Sequence, residues 1–390
     1  MAYLYDENLA LNNKMAVLKT TQIKHKRKST FRFPSGIQPP VGGLKCRFIW
    51  FALAGLGLLA ATIICKHNFN VSKKERGLSM SAARLKTPLS LHELLTLPPS
   101  ELEHCDIALL NLLCIQGLPS TDKLNVTNCL STIDEWARRI QTETERNFHQ
   151  FRENPMEFSN SEGYFRMLVM AVVLYEDYGV RYNPARIVMP GNIDPNDHFF
   201  ADSRDIFLHG LLEGRKQGTC SSLPVLYIAV GRRLGYPLKL VTTKAHLFLR
   251  WESATERFDM EATGKGMNRY DDEHFKQWPF PVSDEEIRTE GFLKSLTSAE
   301  ELAVFLSLRG NCLKESGRRE EAASCYAAAI KLTQNWNAYR TLLADVQNKP
   351  GAPANRLNWQ MMPQSINQQA NEQKAQPNNI PDQNPLRNNR

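Results

Sequence analysis

Cysteine is scarce, with eight in 390 residues, which excludes a small scaffold stapled by disulfides. Metal-ligand spacing is missing too. His104, His149, His198, His209, His246 and His274 form no His-x3-His pair, and no Cys-x2-Cys occurs, so no metal site is expected. No glycine-rich phosphate loop follows a strand, so neither a nucleotide nor any other cofactor is expected. The body also lacks net charge. The chain as a whole is +7, but residues 1–47 hold nine Lys/Arg against only Asp6 and Glu7, which leaves 39 basic against 39 acidic residues. The basic character belongs to an N-terminal arm, and the body carries no electrostatic footprint for nucleic acid. With 42% hydrophobic and 23% charged residues, the chain is neither wholly disordered nor collagenous nor a multi-span membrane protein.

One long hydrophobic run is present. Phe48 to Cys65 reads FIWFALAGLGLLAATIIC, 18 residues without a charge between Arg47 and Lys66. As a helix it would span about 27 Å, enough for a thin hydrocarbon core. It lies too far from the N-terminus for a cleaved signal peptide, and Ile64 before Cys65 does not suit a lipoprotein signal. A single signal-anchor helix at 48–65 is expected. The Lys24–Lys28 cluster (KHKRK) favours an inside N-terminus, with the body across a bacterial inner membrane. The arm, 1–47, has three prolines and no apolar period, and disorder is expected there. Residues 66–87 read as a linker. The other end, 348–390, is a low-complexity tail. Its last 40 residues hold 16 Asn/Gln and five prolines and cannot bury a core.

The body divides into 88–296 and 297–347. Residues 88–155 read as helices, with a capping pattern at Thr132-x-x-Glu135 opening Thr132 to Phe151. Phe165 to Tyr175 reads as a buried helix, and the Asn/Pro-rich stretch 181–205 as irregular. Cys220 to Leu234 is an apolar helix stopped by Gly235 and Pro237. Leu238 to Trp251 reads as one long strand and Phe258 to Ala262 as another, so the class is α+β. Ser298-x-x-Glu301 is a candidate capping box before a helical hairpin over 301–315 and 318–332. There Gly310, Ala322, Tyr326 and Ala329 have the spacing of one tetratricopeptide repeat, a possible surface for a protein partner.

Chemistry gathers in the central region. Cys220 follows Gln217-Gly218-Thr219 and opens a helix, whose N-terminal amides favour a thiolate. A lone cysteine there would read as structural. His246 lies on a strand among apolar residues. Asp259 and Glu261, two apart on the next strand, face the same way, so either could hold the imidazole in one tautomer.

This order of residues resembles the transglutaminase-like superfamily of papain-type thiol enzymes. The stretch GTCSSLPVLYIAVGRRLGYPLKLVTTKAHLFLRW is similar to its bacterial branch, where Gly-x-Cys-x-Ser opens a helix ending in Ala-x-x-Arg-Arg-Leu-Gly-x-Pro and a His-bearing strand follows. FDMEATGKG looks like the segment with the family's acid. The resemblance implies a Cys-bearing helix packed on antiparallel strands, with Cys220 as nucleophile and His246 as general base and acid. Superfamily members commonly have Asp-Pro-Thr. Setting that Thr on Thr263 makes Glu261 the acid, with Asp259 the alternative. The Cys220 amide is a natural oxyanion donor, and Gln217 a second candidate by analogy with papain-type enzymes. Two readings follow. One is a membrane-tethered thiol enzyme that cleaves peptide or glutamine amide bonds in a protein or peptide substrate, with hydrolysis ranked above crosslinking. The other is a non-catalytic peptide-binding protein on the same fold.

Overall fold

The computed structural model describes residues 90–119, 121, 124–186, 198–263 and 269–348. The expected basic arm, membrane helix, linker and Asn/Gln-rich tail fall outside these, apart from Asn348. Among the described residues no helix is long and apolar enough to cross a membrane.

Helices come first. They are α1 (Leu91–Thr96), α2 (Pro99–Leu102), α3 (Ile107–Leu113), α4 (Val126–Glu153) and α5 (Glu162–Val172), the last running into a wider π turn at Val173–Asp177. All seven residues of α3 are buried, and Asp106 caps it by accepting the Ala108 N–H at 2.9 Å. On α4 the buried positions Cys129, Ile133, Trp136, Ala137, Ile140, Thr144 and Asn147 recur at helical spacing, so one stripe faces the core. This helix begins at Asn125, whose side chain accepts the Asn128 N–H, and not at Thr132. Thr132 instead lies inside the helix and bonds back to the Asn128 carbonyl at 2.9 Å, the other local use of a hydroxyl.

The middle of the chain alternates short strands and helices: β1 (Arg181–Tyr182), α6 (Ser203–Ile206), α7 (His209–Leu212), β2 (Gln217–Gly218) and α8 (Leu223–Arg233). Every residue of α8 from Leu223 to Gly231 is buried, because α3 and α4 cover one side and the sheet covers the other. Gly231 permits that close approach: a Cβ there would lie 2.3 Å from Leu238 Cδ1.

The sheet is antiparallel in the order β3 (Leu238–Thr243), β4 (His246–Glu252), β5 (Arg257–Met260), β6 (Arg269–Tyr270). The stretch read as one strand, 238–251, is thus a hairpin in which Thr243 pairs with His246. Its two-residue turn holds Ala245 at φ 60°, a left-handed conformation usually given to glycine or asparagine. The turn places Val241, Thr243, His246, Phe248 and Arg250 on one face. Thr242, which one continuous strand would place on the His246 face, pairs with Leu247 and faces the other way.

After β6 come α9 (Asp272–Gln277), α10 (Asp284–Glu290), α11 (Ser298–Glu315), α12 (Arg319–Leu332) and α13 (Ala338–Gln347). The capping box of α11 is Thr297 with Glu300, one residue earlier than expected. Glu301 is needed elsewhere: it is buried and pairs with Arg232 at the end of α8 at 2.5 Å. The helices α11 and α12 form a hairpin, and Gly310 leaves room for Tyr326, whose ring would lie 2.4 Å from a Cβ at that position. Arg309 reaches back to donate to the carbonyls of Cys114 and Gln116, both at 2.8 Å, tying the hairpin to the end of α3.

Candidate active site

Cys220 lies in the turn just before α8, three residues ahead of the first helical residue. Local chemistry shapes that turn. The Ser222 hydroxyl accepts the Thr219 N–H at 3.1 Å, and the N–H groups of Ser222 and Leu223 both return to the Thr219 carbonyl, at 3.2 and 3.0 Å. The hydroxyls of Thr219 and Ser222 donate to one buried carbonyl, that of Asp205, at 2.8 and 3.3 Å. Gly218 is required because a Cβ would stand 2.4 Å from Ser222 Oγ and 2.9 Å from Leu211. The Gly-Thr-Cys-Ser-Ser run is therefore a structural recipe for presenting one half-buried thiol.

His246 opens β4 directly after the hairpin turn and is buried. Its Nε2 meets Glu261 Oε2 at 2.6 Å, which leaves Nδ1 free on the other side of the ring, and Cys220 is close enough to act on the imidazole. The other Glu261 oxygen accepts the Thr263 N–H at 2.7 Å. Trp278 stands edge-on to the imidazole, with ring centroids 4.8 Å apart, and Phe275 lies 6.4 Å away. Helix α9, which carries Phe275, is held down by the Thr243 hydroxyl donating to the Phe275 carbonyl at 2.9 Å.

Electrostatics follow from this packing. Burial pulls the His246 pKa down, but the Glu261 charge and the hydrogen bonds to Cys220 and Glu261 outweigh it and push the value up to about 10. Burial also works against the Glu261 carboxylate, yet His246 and the Thr263 bonds hold its pKa below the ordinary range. At neutral pH the site thus holds an imidazolium paired with a carboxylate. Burial raises the thiol pKa at Cys105, Cys114 and Cys325, and pushes Cys129 and Cys312 up to about 12.

The structure brings Cys220, His246 and Glu261 together and takes Asp259 elsewhere. Asp259 does share the His246 face, since it pairs with Arg250 across the ladder. However, its carboxylate is gripped by the Arg250 guanidinium, from Nε at 2.6 Å and Nη2 at 3.1 Å. Burial raises the Asp259 pKa to about 6, against the pull of Arg250. Arg250 is itself fully buried and also contacts Asp272. Two acids on one face therefore serve different cations. Gln217 lies in β2 opposite Arg181, and its side chain makes no hydrogen bond to Cys220, His246 or Glu261.

Sequence reasoning missed three contributors. Tyr182 reaches the site because β1 pairs in parallel with β2, which sets it beside Gly218. A two-residue strand is too short to show a period. Asp205 was hidden in the stretch read as irregular. It anchors the cysteine turn through its carbonyl, and its carboxylate accepts from Asn183 at 2.9 Å and pairs with Arg186 and Arg215. Trp278, which walls His246, carried no sequence signal.

A thiol at the head of a buried helix, an imidazole on a strand of the adjoining hairpin and a carboxylate behind the imidazole thus lie in one region of the fold. Residues 127–277 match the family model described as the transglutaminase-like superfamily, and the chain carries a domain of that superfamily. No curated protein and no solved structure gives a match.

Proposed function

We propose that the protein is a membrane-anchored thiol enzyme acting on peptide or glutamine amide bonds in proteins, with Cys220 as nucleophile. The observation that carries this reading is the 2.6 Å contact between His246 Nε2 and Glu261 Oε2, with Cys220 among the side chains that act electrostatically on the same imidazole. The Cys220 thiolate attacks the amide carbonyl, the imidazolium of His246 gives its proton to the departing amine, and a thioester remains. His246 then takes a proton from water, which hydrolyses the thioester. An amine in place of water would give a crosslink. Hydrolysis is ranked first because Cys220 is only half-buried and so within reach of water. Glu261 holds the imidazole in the tautomer that serves Cys220 and stabilises its cation.

The anchor is the 48–65 segment, with the N-terminal arm in the bacterial cytoplasm and the body outside. The α11–α12 hairpin, with its tetratricopeptide-like small residues, offers a surface for a protein partner. Protease added to the outside of spheroplasts should degrade the body and spare the arm.

The activity is tested on the full chain with dimethylcasein and a biotinylated alkylamine, wild type against Cys220→Ala. New peptide ends, or ammonia release without matching biotin incorporation, that depend on Cys220 support hydrolysis. Cys220-dependent biotin incorporation supports transamidation instead. If neither appears and Cys220 alkylates no faster than Cys105, the domain is a non-catalytic binding platform.

A further inference from the structure

The thioester reaction needs two hydrogen-bond donors for the oxyanion that forms when sulfur adds to the carbonyl. The Cys220 backbone N–H has no acceptor among the described residues, so it can supply one. Gln217, the expected second donor, is not bonded into the site.

Tyr182 is. Its strand is locked to the segment leading into Cys220 by the Arg181 N–H to the Lys216 carbonyl at 3.0 Å and the Asn183 N–H to the Gly218 carbonyl at 2.8 Å. Tyr182 is the register partner of Gly218, two residues before Cys220. Both halves hang on the same anchor. The Asp205 carboxylate holds the Asn183 side chain, and the Asp205 carbonyl holds the hydroxyls of Thr219 and Ser222. The phenol and the thiol are thus fixed in one frame, with little freedom to drift apart.

The Tyr182 side chain is half-buried. After burial, the charges it feels most are those of Cys220 and Glu261, and all three influences push its pKa above the ordinary value. It therefore stays a neutral O–H donor at working pH. That hydroxyl donates to no acceptor among the described residues, and because the residue is only half-buried it is free to donate to an acceptor that arrives with substrate.

We propose that the Tyr182 hydroxyl is the second oxyanion donor, paired with the Cys220 N–H, and so a catalytic residue of acyl transfer at Cys220. This rests on the acyl-transfer reading above. In the step, the Cys220 sulfur pair forms the C–S bond and the carbonyl π pair moves to oxygen. The oxyanion accepts from the Cys220 N–H and the Tyr182 O–H. Its return to a carbonyl breaks the C–N bond, and the nitrogen leaves with the His246 proton.

The test compares wild type, Tyr182→Phe and Gln217→Ala in the full chain. p-Nitrophenyl acetate reports acylation through an oxyanion. Iodoacetamide reports the thiolate alone, since displacement at its methylene makes no oxyanion. Tyr182→Phe is expected to slow acylation about 10²–10³-fold while alkylation stays within about twofold of wild type. Gln217→Ala should change neither rate. Equal loss of both rates in Tyr182→Phe would make the phenol a support of the thiol and overturn the proposal. Unchanged acylation in that variant would do the same, as would a hundredfold acylation loss in Gln217→Ala. A wild type that alkylates at Cys220 but never acylates would overturn the acyl-transfer reading itself, and this proposal with it.

Discussion

Replacing Glu261 with glutamine changes almost no volume but removes a carboxylate whose two oxygens are both used. One accepts from Thr263 N–H at 2.7 Å and the other faces His246 Nε2 at 2.6 Å. Glutamine has one oxygen and one NH₂, so one of the two partners must meet a donor. The backbone N–H of Thr263 cannot give up its proton, so the glutamine oxygen turns toward it and the NH₂ faces His246. Nε2 must then accept, and the remaining proton moves to Nδ1, the nitrogen that serves Cys220. A neutral imidazole in that tautomer cannot take a proton from the thiol. The charge effect adds to this. With Glu261 present the imidazole pKa is about 10, and without it the value should return to about 6.5 or lower. At pH 7.5 roughly one imidazole in ten would then carry a charge, against essentially all before. Iodoacetamide alkylation of Cys220 at pH 7.5, followed by peptide mapping, should slow about tenfold or more. Acyl transfer should fall further, toward the about 10⁴-fold known for the equivalent change in a serine protease triad. Asp259→Asn is the control: its carboxylate belongs to Arg250, so alkylation should hold near the wild-type rate. If Glu261→Gln alkylates as fast as wild type while Asp259→Asn is slow, the reasoning fails and the acid has been assigned to the wrong residue.

Further outcomes follow from the same contacts. His246 has a raised folded-state pKa, so the stability it contributes is complete below about pH 6.5 and lost as pH rises through about 10. The lowered Glu261 pKa acts at the other end, its share being lost as pH falls through the folded value. Thermal melts should therefore show the wild-type midpoint declining from pH 7 to pH 10 more steeply than that of Glu261→Gln. Arg232→Ala leaves the buried Glu301 carboxylate without its guanidinium and should cost about 3 kcal/mol in urea unfolding. Gly310→Ala drives a methyl into the Tyr326 ring, and about 1–3 kcal/mol of destabilisation is expected by the same measurement. Gly218→Ala presses on Ser222 Oγ and should slow Cys220 alkylation without a comparable loss of secondary structure by circular dichroism.

Much of this molecule is written locally. The apolar run of α8, the glycine and hydroxyl residues around Cys220, and the helical stripe on α4 each act within a few residues, so their patterns survive in one dimension. The choice of Glu261 over Asp259 was open in the sequence except through the spacing to Thr263. It closes in three dimensions because Arg250, nine residues earlier, is folded onto Asp259 by the β4–β5 register. Two capping boxes overlapped at 297–301, and the one used was decided by Arg232, which claims Glu301 from 69 residues away.

What the sequence determined by itself was the kind of site: a thiol at a helix head, a histidine among apolar residues and an acid on the following strand, all set by short-range spacing and burial preference. Only the tertiary structure decided which groups meet. The hairpin at Ala245 carries no glycine or asparagine to announce it, yet it turns His246 onto the face of Thr243. The two-residue ladder at Tyr182 is too short for any pattern, yet it sets Tyr182 opposite Gly218, two residues before Cys220. Both contacts depend on backbone pairing between distant segments, whose free energy comes from the burial of α8 between helices and sheet and not from the residues at the pairing site.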